Sequence, residues 1–337
     1  MKVSFIIPAY NAEATIRAAV ESALGQSIPP HEVVVADDAS TDGTRAVLDS
    51  ITNPRMRVVR LERNAGPGAA RHAAMAAATG DVFACLDADD VAVTRRLELQ
   101  MPVLEADASV MVVCGSTKER SEGGSVIISR PPTSPGAFFW CEYFRNRIAT
   151  STACIRRDSG LSLAGRFAGM RLAEDHAMWL GALETGRIAS VRAVVAVRRI
   201  GSCSLSAEHA GDLEAASVDV CRAALSGLVG EVPDDAAYLL LRRGAAPSSV
   251  SDAEILERTV VLWCDVFDAV QRSLMRPADR SAAARESLVE LRHMLRYAPA
   301  RRYDVWRRTM APRSGIVSAA MASVKGLRVA RTMIEGR

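Results

Sequence analysis

Along the first hundred positions the apolar residues keep two rhythms in turn. "VSFIIP" is an unbroken apolar run closed by Pro8, whereas "EATIRAAVESAL" spaces Ile16, Ala19, Val20, Ala23 and Leu24 three and four apart. The first rhythm predicts a buried strand, the second a helix with one apolar face. The alternation then repeats. "EVVVADD" predicts a strand, and "STDGTRAVLDSI" a helix with Ser40, Thr41 or Asp42 as its cap. "MRVVRL" predicts a strand, "GPGAARHAAMAAATG" a helix closed by Gly80, "DVFACL" a strand and "TRRLELQMPVLEA" a helix. Strands and helices alternating at this spacing predict an α/β domain, a Rossmann-like, mostly parallel sheet flanked by helices.

From residue 109 to 200 the rhythm loosens. "VMVVCG" and "SVIIS" predict strands, "SPGAFFWCEYFRN" a loop entering a helix, and "AEDHAMWLGALETG" a helix ended by Gly186. Past Ala207 the composition turns to Ala, Leu, Arg and Glu at helical spacing, as in "EILERTVVLWCDVFDAVQRSL" and "AAARESLVELRHMLRY". The expected organisation is one domain over 1–207 and a C-terminal helical annex over 208–337.

Composition narrows the function classes. The chain has 49% hydrophobic and 24% charged residues, ordinary for a globular protein. Its 42 basic and 39 acidic side chains nearly cancel, which argues against a nucleic-acid partner. Seven scattered cysteines with no C-x-x-C pair predict reduced thiols in the cytoplasm rather than a disulfide frame or zinc site. Neither a signal peptide nor a membrane-crossing run is read from the sequence. The end of the chain is cationic, and "SGIVSAAMASVKGLRVARTMI" fits either a helix lying on the inner face of an anionic membrane or a helix packed on the annex.

In parallel sheets, ligands bind beyond the carboxyl ends of the strands. Asp37 and Asp38 end the second predicted strand, Asp87 and Asp89 follow the fourth, and 8–11 follows the first, so these groups share one rim. In "CLDADD" the carboxylates of Asp87 and Asp89 point the same way on an extended backbone and can share Mg²⁺ or Mn²⁺. Taken alone, a turn in which Asp89 or Asp90 caps the next helix is the favoured reading. "DDASTDGT" alone likewise reads as an Asx-type turn, and Glu174-Asp175 as a helix-dipole pair. A second acidic pair on the same rim weakens the bland reading, because two clusters with separate tasks suit a metal-bound nucleotide.

Taken together and in order, "PAYNAEATI", "VVVADDASTDGT", "NAGPGAARHAA", "CLDADD" and "EDHAMWL" resemble the inverting family 2 glycosyltransferases of GT-A fold, over residues 3 to about 206. The resemblance implies that Pro8, Ala9, Tyr10 and Asp38 line the base pocket and that Asn64, Arg71 and Asp87 contact the nucleotide. It makes Asp89, with Asp87, the metal ligand. Asp175 becomes the general base that takes the proton of an attacking acceptor hydroxyl, with Glu174 orienting it or capping the helix. The implied partners are a nucleotide-sugar donor and a glycan or lipid-linked acceptor.

This sequence departs from the family pattern in two places. Thr94 stands for a usual proline, which mainly shapes a helix start. In "VRRIGSCSLS", Arg199 and Ser204 fit a diphosphate-gripping loop, but Gly201 stands where a histidine is common. His72, His176 and His209 read as packing or exposed residues, while Trp140 and Trp179 could stack on an acceptor sugar. Two other readings stay open: a sugar nucleotidyltransferase, for which "PAYNAEATIR" lacks the glycine-rich basic loop, and a non-catalytic nucleotide-binding or membrane-docking module.

Overall fold

The computed structural model describes residues 1–121, 126–200, 210–230, 238, 239, 242, 253–274 and 276–296. It divides into two compact units, Met1–Thr133 with Asn146–Ser217, and Ser134–Arg145 with Val218–Arg337.

The first unit opens with the expected alternation: β1 (Val3–Ala9), α1 (Ile16–Leu24), β2 (Glu32–Asp37), α2 (Thr44–Asp49), β3 (Met56–Arg60), α3 (Pro67–Ala77) and β4 (Val82–Cys85). These strands are parallel in the order β3-β2-β1-β4, and pairs such as Ala9 with Asp37 bring the carboxyl ends of β1 and β2 level. Phe5, Ile6 and Ile7 are all fully buried, so both faces of β1 are covered, as an unbroken apolar run requires. Helix α1 buries Ile16, Ala19, Val20 and Ala23, the predicted stripe. Burying Val20 is worth roughly 2 kcal/mol, and Val20→Asp would break this face. Helix α2 starts from Gly43 rather than from a capping side chain. Asp42 still accepts the Thr44 N–H at 3.0 Å, so it serves the first turn from one residue further out. Helix α3 ends at Ala77, before the expected stop at Gly80.

The sheet continues with a short β5 (Val91–Ala92), α4 (Arg96–Ala106), β6 (Val110–Ser121), β7 (Val126–Ser129), a 3₁₀ turn (Thr150–Thr152), β8 (Cys154–Arg156), α6 (Arg157–Phe167), α7 (Glu174–Thr185) and β9 (Arg187–Ile200). Here it becomes mixed: β8 is antiparallel to β4 and β6, β9 runs parallel to β6, and β5 is antiparallel to β9. Arg96 staples the seam. Its fully buried guanidinium donates to the carbonyls of Cys85 and Ala153, both at 2.9 Å, and it lies over the Phe5 ring.

In the second unit α5 (Pro135–Cys141) joins α8 (Ala210–Val229, from Val218 on), α9 (Ala253–Ser273) and α10 (Pro277–Arg296). The expected boundary lay at 207 and 208, within the undescribed stretch 201–209; the compact units divide after Ser217 and draw α5 into the second. Trp140 of α5 meets Trp263 with ring centroids 6.3 Å apart. A Cβ at Gly136 would lie 1.8 Å from the Asp279 carbonyl oxygen, so only glycine lets α5 approach α10. No helix among the described residues is long and apolar enough to cross a membrane.

Candidate active site

The carboxyl ends of β1 and β2 are laced together. Asn11 accepts the Thr41 N–H at 2.8 Å and donates its own N–H to Ser40 at 3.0 Å, while the Ala12 N–H reaches Thr44 at 2.7 Å. Asn11 and Ala39 sit at φ 47° and 57°, in the left-handed region that costs non-glycine residues energy and recurs at functional sites. Asp38 is buried, and its two oxygens accept the N–H groups of Ala65 and Gly66, each at 2.8 Å. Gly66 adopts φ 95°, open to glycine, to aim that N–H. Asp38 thus fixes the entry to α3. A carboxylate has about four acceptor sites, so it keeps capacity for a ligand donor. Beside it Pro8 is half-buried, Ala9 is buried and Tyr10 is 44% exposed.

Beyond β4 lies the acidic cluster. Arg71 is buried on α3 and bonds Glu174 at 2.8 Å and Asp87 at 3.5 Å, with its Nε unpartnered. Burial opposes the Arg71 charge, but Glu174 and Asp87 outweigh it and hold the cation firmly protonated. Asp87 also accepts the Ser151 hydroxyl at 3.1 Å, and its N–H donates back to Ser151 at 2.9 Å. Burial and the neighbouring Asp87 push the Asp89 carboxyl above the usual range. Asp90 is pushed up to about 7 by burial, Asp87 and Asp89. Asp87, Asp89, Asp90 and Glu174 outnumber Arg71 and Arg198 by two, and this uncompensated charge suits a divalent cation. Among the described residues no group of three or more His, Cys, Asp or Glu could hold a metal by itself. Magnesium commonly takes one or two protein carboxylates and leaves the rest to water and phosphate, so Asp87 and Asp89 fit.

Arg198 went unnoticed in the sequence. Its guanidinium lies 3.7 Å from Asp90 and 3.4 Å from Glu119. The segment expected to be a diphosphate loop is β9 as far as Ile200, and successive strand residues face opposite ways. Arg199 is therefore exposed; its N–H lies 3.3 Å from Asp90 and its charge acts on Asp89 from a distance. Ser204, Gly201, His209 and the cationic end of the chain lie outside the described residues.

Asp175 opens α7 behind Ala173, a left-handed residue at φ 57°. One carboxylate oxygen accepts Asn146 at 2.9 Å and Thr150 at 3.1 Å, and the other the His176 N–H at 2.7 Å. Glu174 is buried and bonds Arg71, so it neither orients Asp175 directly nor caps the helix through its side chain. Burial pushes its carboxyl up, against the pull of Arg71. The segment 146–152 holds both acids, through Asn146 and Thr150 at Asp175 and through Ser151 at Asp87. Sequence reasoning missed it. Its signal was "TST", three buried polar residues in a row.

Other expectations separate from this centre. Asn64 is exposed, with its side chain accepting from Arg171 at 3.2 Å. Trp140 and Trp179 are fully buried and present no face to a sugar, because both rings fill the cores of their own units. His176 is buried against Ser217 at 2.9 Å, a packing role.

The family model described as Glycosyl transferase family 2 matches residues 4–162. The chain is 46% identical over 107 residues to the succinoglycan biosynthesis protein ExoO of Rhizobium meliloti (strain 1021), covering 32% of this chain and only 30% of that protein. It is 32% identical over 186 residues to the UDP-Glc:alpha-D-GlcNAc-diphosphoundecaprenol beta-1,3-glucosyltransferase WfaP of Escherichia coli, covering 55% of this chain and 71% of that one. Among solved structures, S. aureus TarS 1-349 aligns with TM-score 0.55 at 22% identity, over 90% of this chain and 93% of TarS. TarS has the same fold, and it has also been solved with UDP-GlcNAc.

Proposed function

The chain belongs to glycosyl transferase family 2, with the GT-A type of α/β fold, and from that premise we propose that it moves a sugar from a nucleoside diphosphate donor to a hydroxyl of a glycan or lipid-linked acceptor, inverting the anomeric centre. The observation that carries this reading is the chain of contacts from Asp175 through 146–152 to Asp87, closed by Glu174 and Arg71. It joins a carboxylate suited to accept a proton to a carboxylate cluster suited to hold a charged diphosphate.

Asp38, with Pro8, Ala9 and Tyr10, receives the base. Asp89, with Asp87, would hold Mg²⁺ or Mn²⁺, which when bound offsets the charge developing on the departing diphosphate. Arg198 faces the same acids and takes the diphosphate contact expected of Arg199. Arg71 sets the position of Asp87 and Glu174 from beneath and does not reach the nucleotide directly. Asp175, steered by Asn146 and Thr150, removes the acceptor's proton as the hydroxyl attacks opposite the leaving group. The names of the relatives, one a UDP-Glc transferase and one solved with UDP-GlcNAc, support a UDP-sugar donor. The diphosphoundecaprenol in the first name supports a lipid-linked acceptor. The scattered cysteines, with no C-x-x-C pair among them, support a cytoplasmic location.

Asp175→Asn tests the assignment. Turnover should fall about 10²- to 10⁴-fold, the usual contribution of a general base, with UDP affinity unchanged. Turnover within about threefold of the unaltered protein would remove Asp175 from the chemistry.

A further inference from the structure

We infer that the outer edge of β7 docks on an anionic lipid surface. Val126, Ile127 and Ile128 are 50%, 59% and 42% exposed. Consecutive strand residues point to opposite faces, so three exposed in a row leave both faces of β7 open. Among the described residues β7 pairs only with β6, which leaves its other edge unpaired as well. Edge strands are normally blunted by charge, proline or cover. This one instead carries three adjacent members of the seven large apolar side chains exposed among the described residues, the pattern of a surface that is covered in use.

Charge selects what covers it. Lys118 stands opposite Ile128 in register, and Arg130 and Arg147 are exposed where β7 ends. Arg147 donates to the Arg130 carbonyl at 3.4 Å. The acid in register with Ile127, Glu119, is engaged by Arg198 at 3.4 Å. An apolar patch with a cationic border results. A second copy added edge to edge would bring these cations against their own kind, which disfavours it. Anionic headgroups complement them, and water in the headgroup layer satisfies the unpaired edge groups that hydrocarbon would leave bare. Arg147 adjoins Asn146, which bonds Asp175 at 2.9 Å, so a docked edge brings lipid to the acceptor side. That orientation rests on the transferase reading; the docking does not.

The test is co-sedimentation of the full chain with phosphatidylcholine vesicles, with and without phosphatidylglycerol. It compares the unaltered protein, the triple variant V126S/I127S/I128S and R130E. Both variants alter exposed positions and should keep donor hydrolysis and thermal stability. The unaltered protein should bind phosphatidylglycerol vesicles, and each variant should lose about tenfold or more in partitioning. Undiminished binding by the triple variant would overturn the inference and assign docking to another surface, as would equal binding to vesicles without phosphatidylglycerol. Light scattering that shows a dimer dissolved by the triple variant would overturn it in favour of a second copy. Vesicle binding that the variants lose, alongside no donor hydrolysis by the unaltered protein, would uphold docking and sink the transferase reading.

Discussion

At the amino end of the parallel strands, Glu32 accepts the Ser4 hydroxyl at 2.8 Å, the Thr79 N–H at 2.6 Å and the Thr79 hydroxyl at 2.7 Å, with Arg57 alongside at 3.1 Å. At the carboxyl end, Asp87, Asp89 and Asp90 crowd together, and Arg71 and Arg198 answer only part of their charge. Against the cost of burial, Thr79, Ser4 and Arg57 hold the Glu32 carboxyl below its ordinary range. Burial and mutual repulsion hold Asp89 and Asp90 above theirs. Both ends are acidic, yet one is satisfied and the other keeps part of its charge unmet. The opposite directions of shift distinguish an acid whose charge is met from acids whose charge is not.

Removing the Arg71 cation should break this contrast most severely. Arg71→Met leaves Glu174 buried without its partner and releases Asp87, so denaturant melts should show a loss of roughly 3 kcal/mol or more. The double variant Arg71→Met/Glu174→Gln should recover much of that stability but not activity, because Asp87 stays misplaced. A single variant as stable as the unaltered protein would mean that the bridge holds nothing.

Titration sharpens the comparison next. Asp90 has a folded pKa near 7, above its unfolded value. Its contribution to stability is therefore complete below about pH 4 and is lost as pH rises through 7. With chelator present, Asp90→Asn should gain on the unaltered protein between pH 5 and pH 8, by about 2 kcal/mol. A flat difference across that range would contradict the raised pKa. Glu32 has the opposite sign. Its folded pKa is depressed, so its contribution is present at neutral pH and is lost as pH falls through the folded value. Glu32→Gln should cost roughly 1 kcal/mol at pH 7, the usual net worth of such hydrogen bonds, and progressively less as pH falls through the folded value.

The sequence made the parallel half of this contrast legible, because unbroken apolar runs and three-and-four spacing name each strand and helix there. In the mixed half it named β6, β7 and α7 but hid other elements for physical reasons. β5 and β8 span two and three residues, too few for any period to register. Helix α6 carries Gly160 in its interior, a poor helix residue, because a Cβ there would come within 2.8 Å of the Phe83 ring. Among the acids of the site "DADD" stands out by itself, whereas Asp175 is singled out only by the family resemblance. Their supports do not stand out: Ser151 and Thr150 are ordinary hydroxyl residues, and choosing Arg198 over Arg199 requires knowing which strand face meets Asp90.

The central claim is that the crowded end binds a cation together with a nucleoside diphosphate. Titration calorimetry of UDP with manganese and with chelator, on the unaltered protein and on Asp89→Asn, addresses it directly. UDP should bind about tenfold or more tightly with manganese, and Asp89→Asn should erase that gain. Equal affinity in manganese and in chelator for the unaltered protein would contradict it.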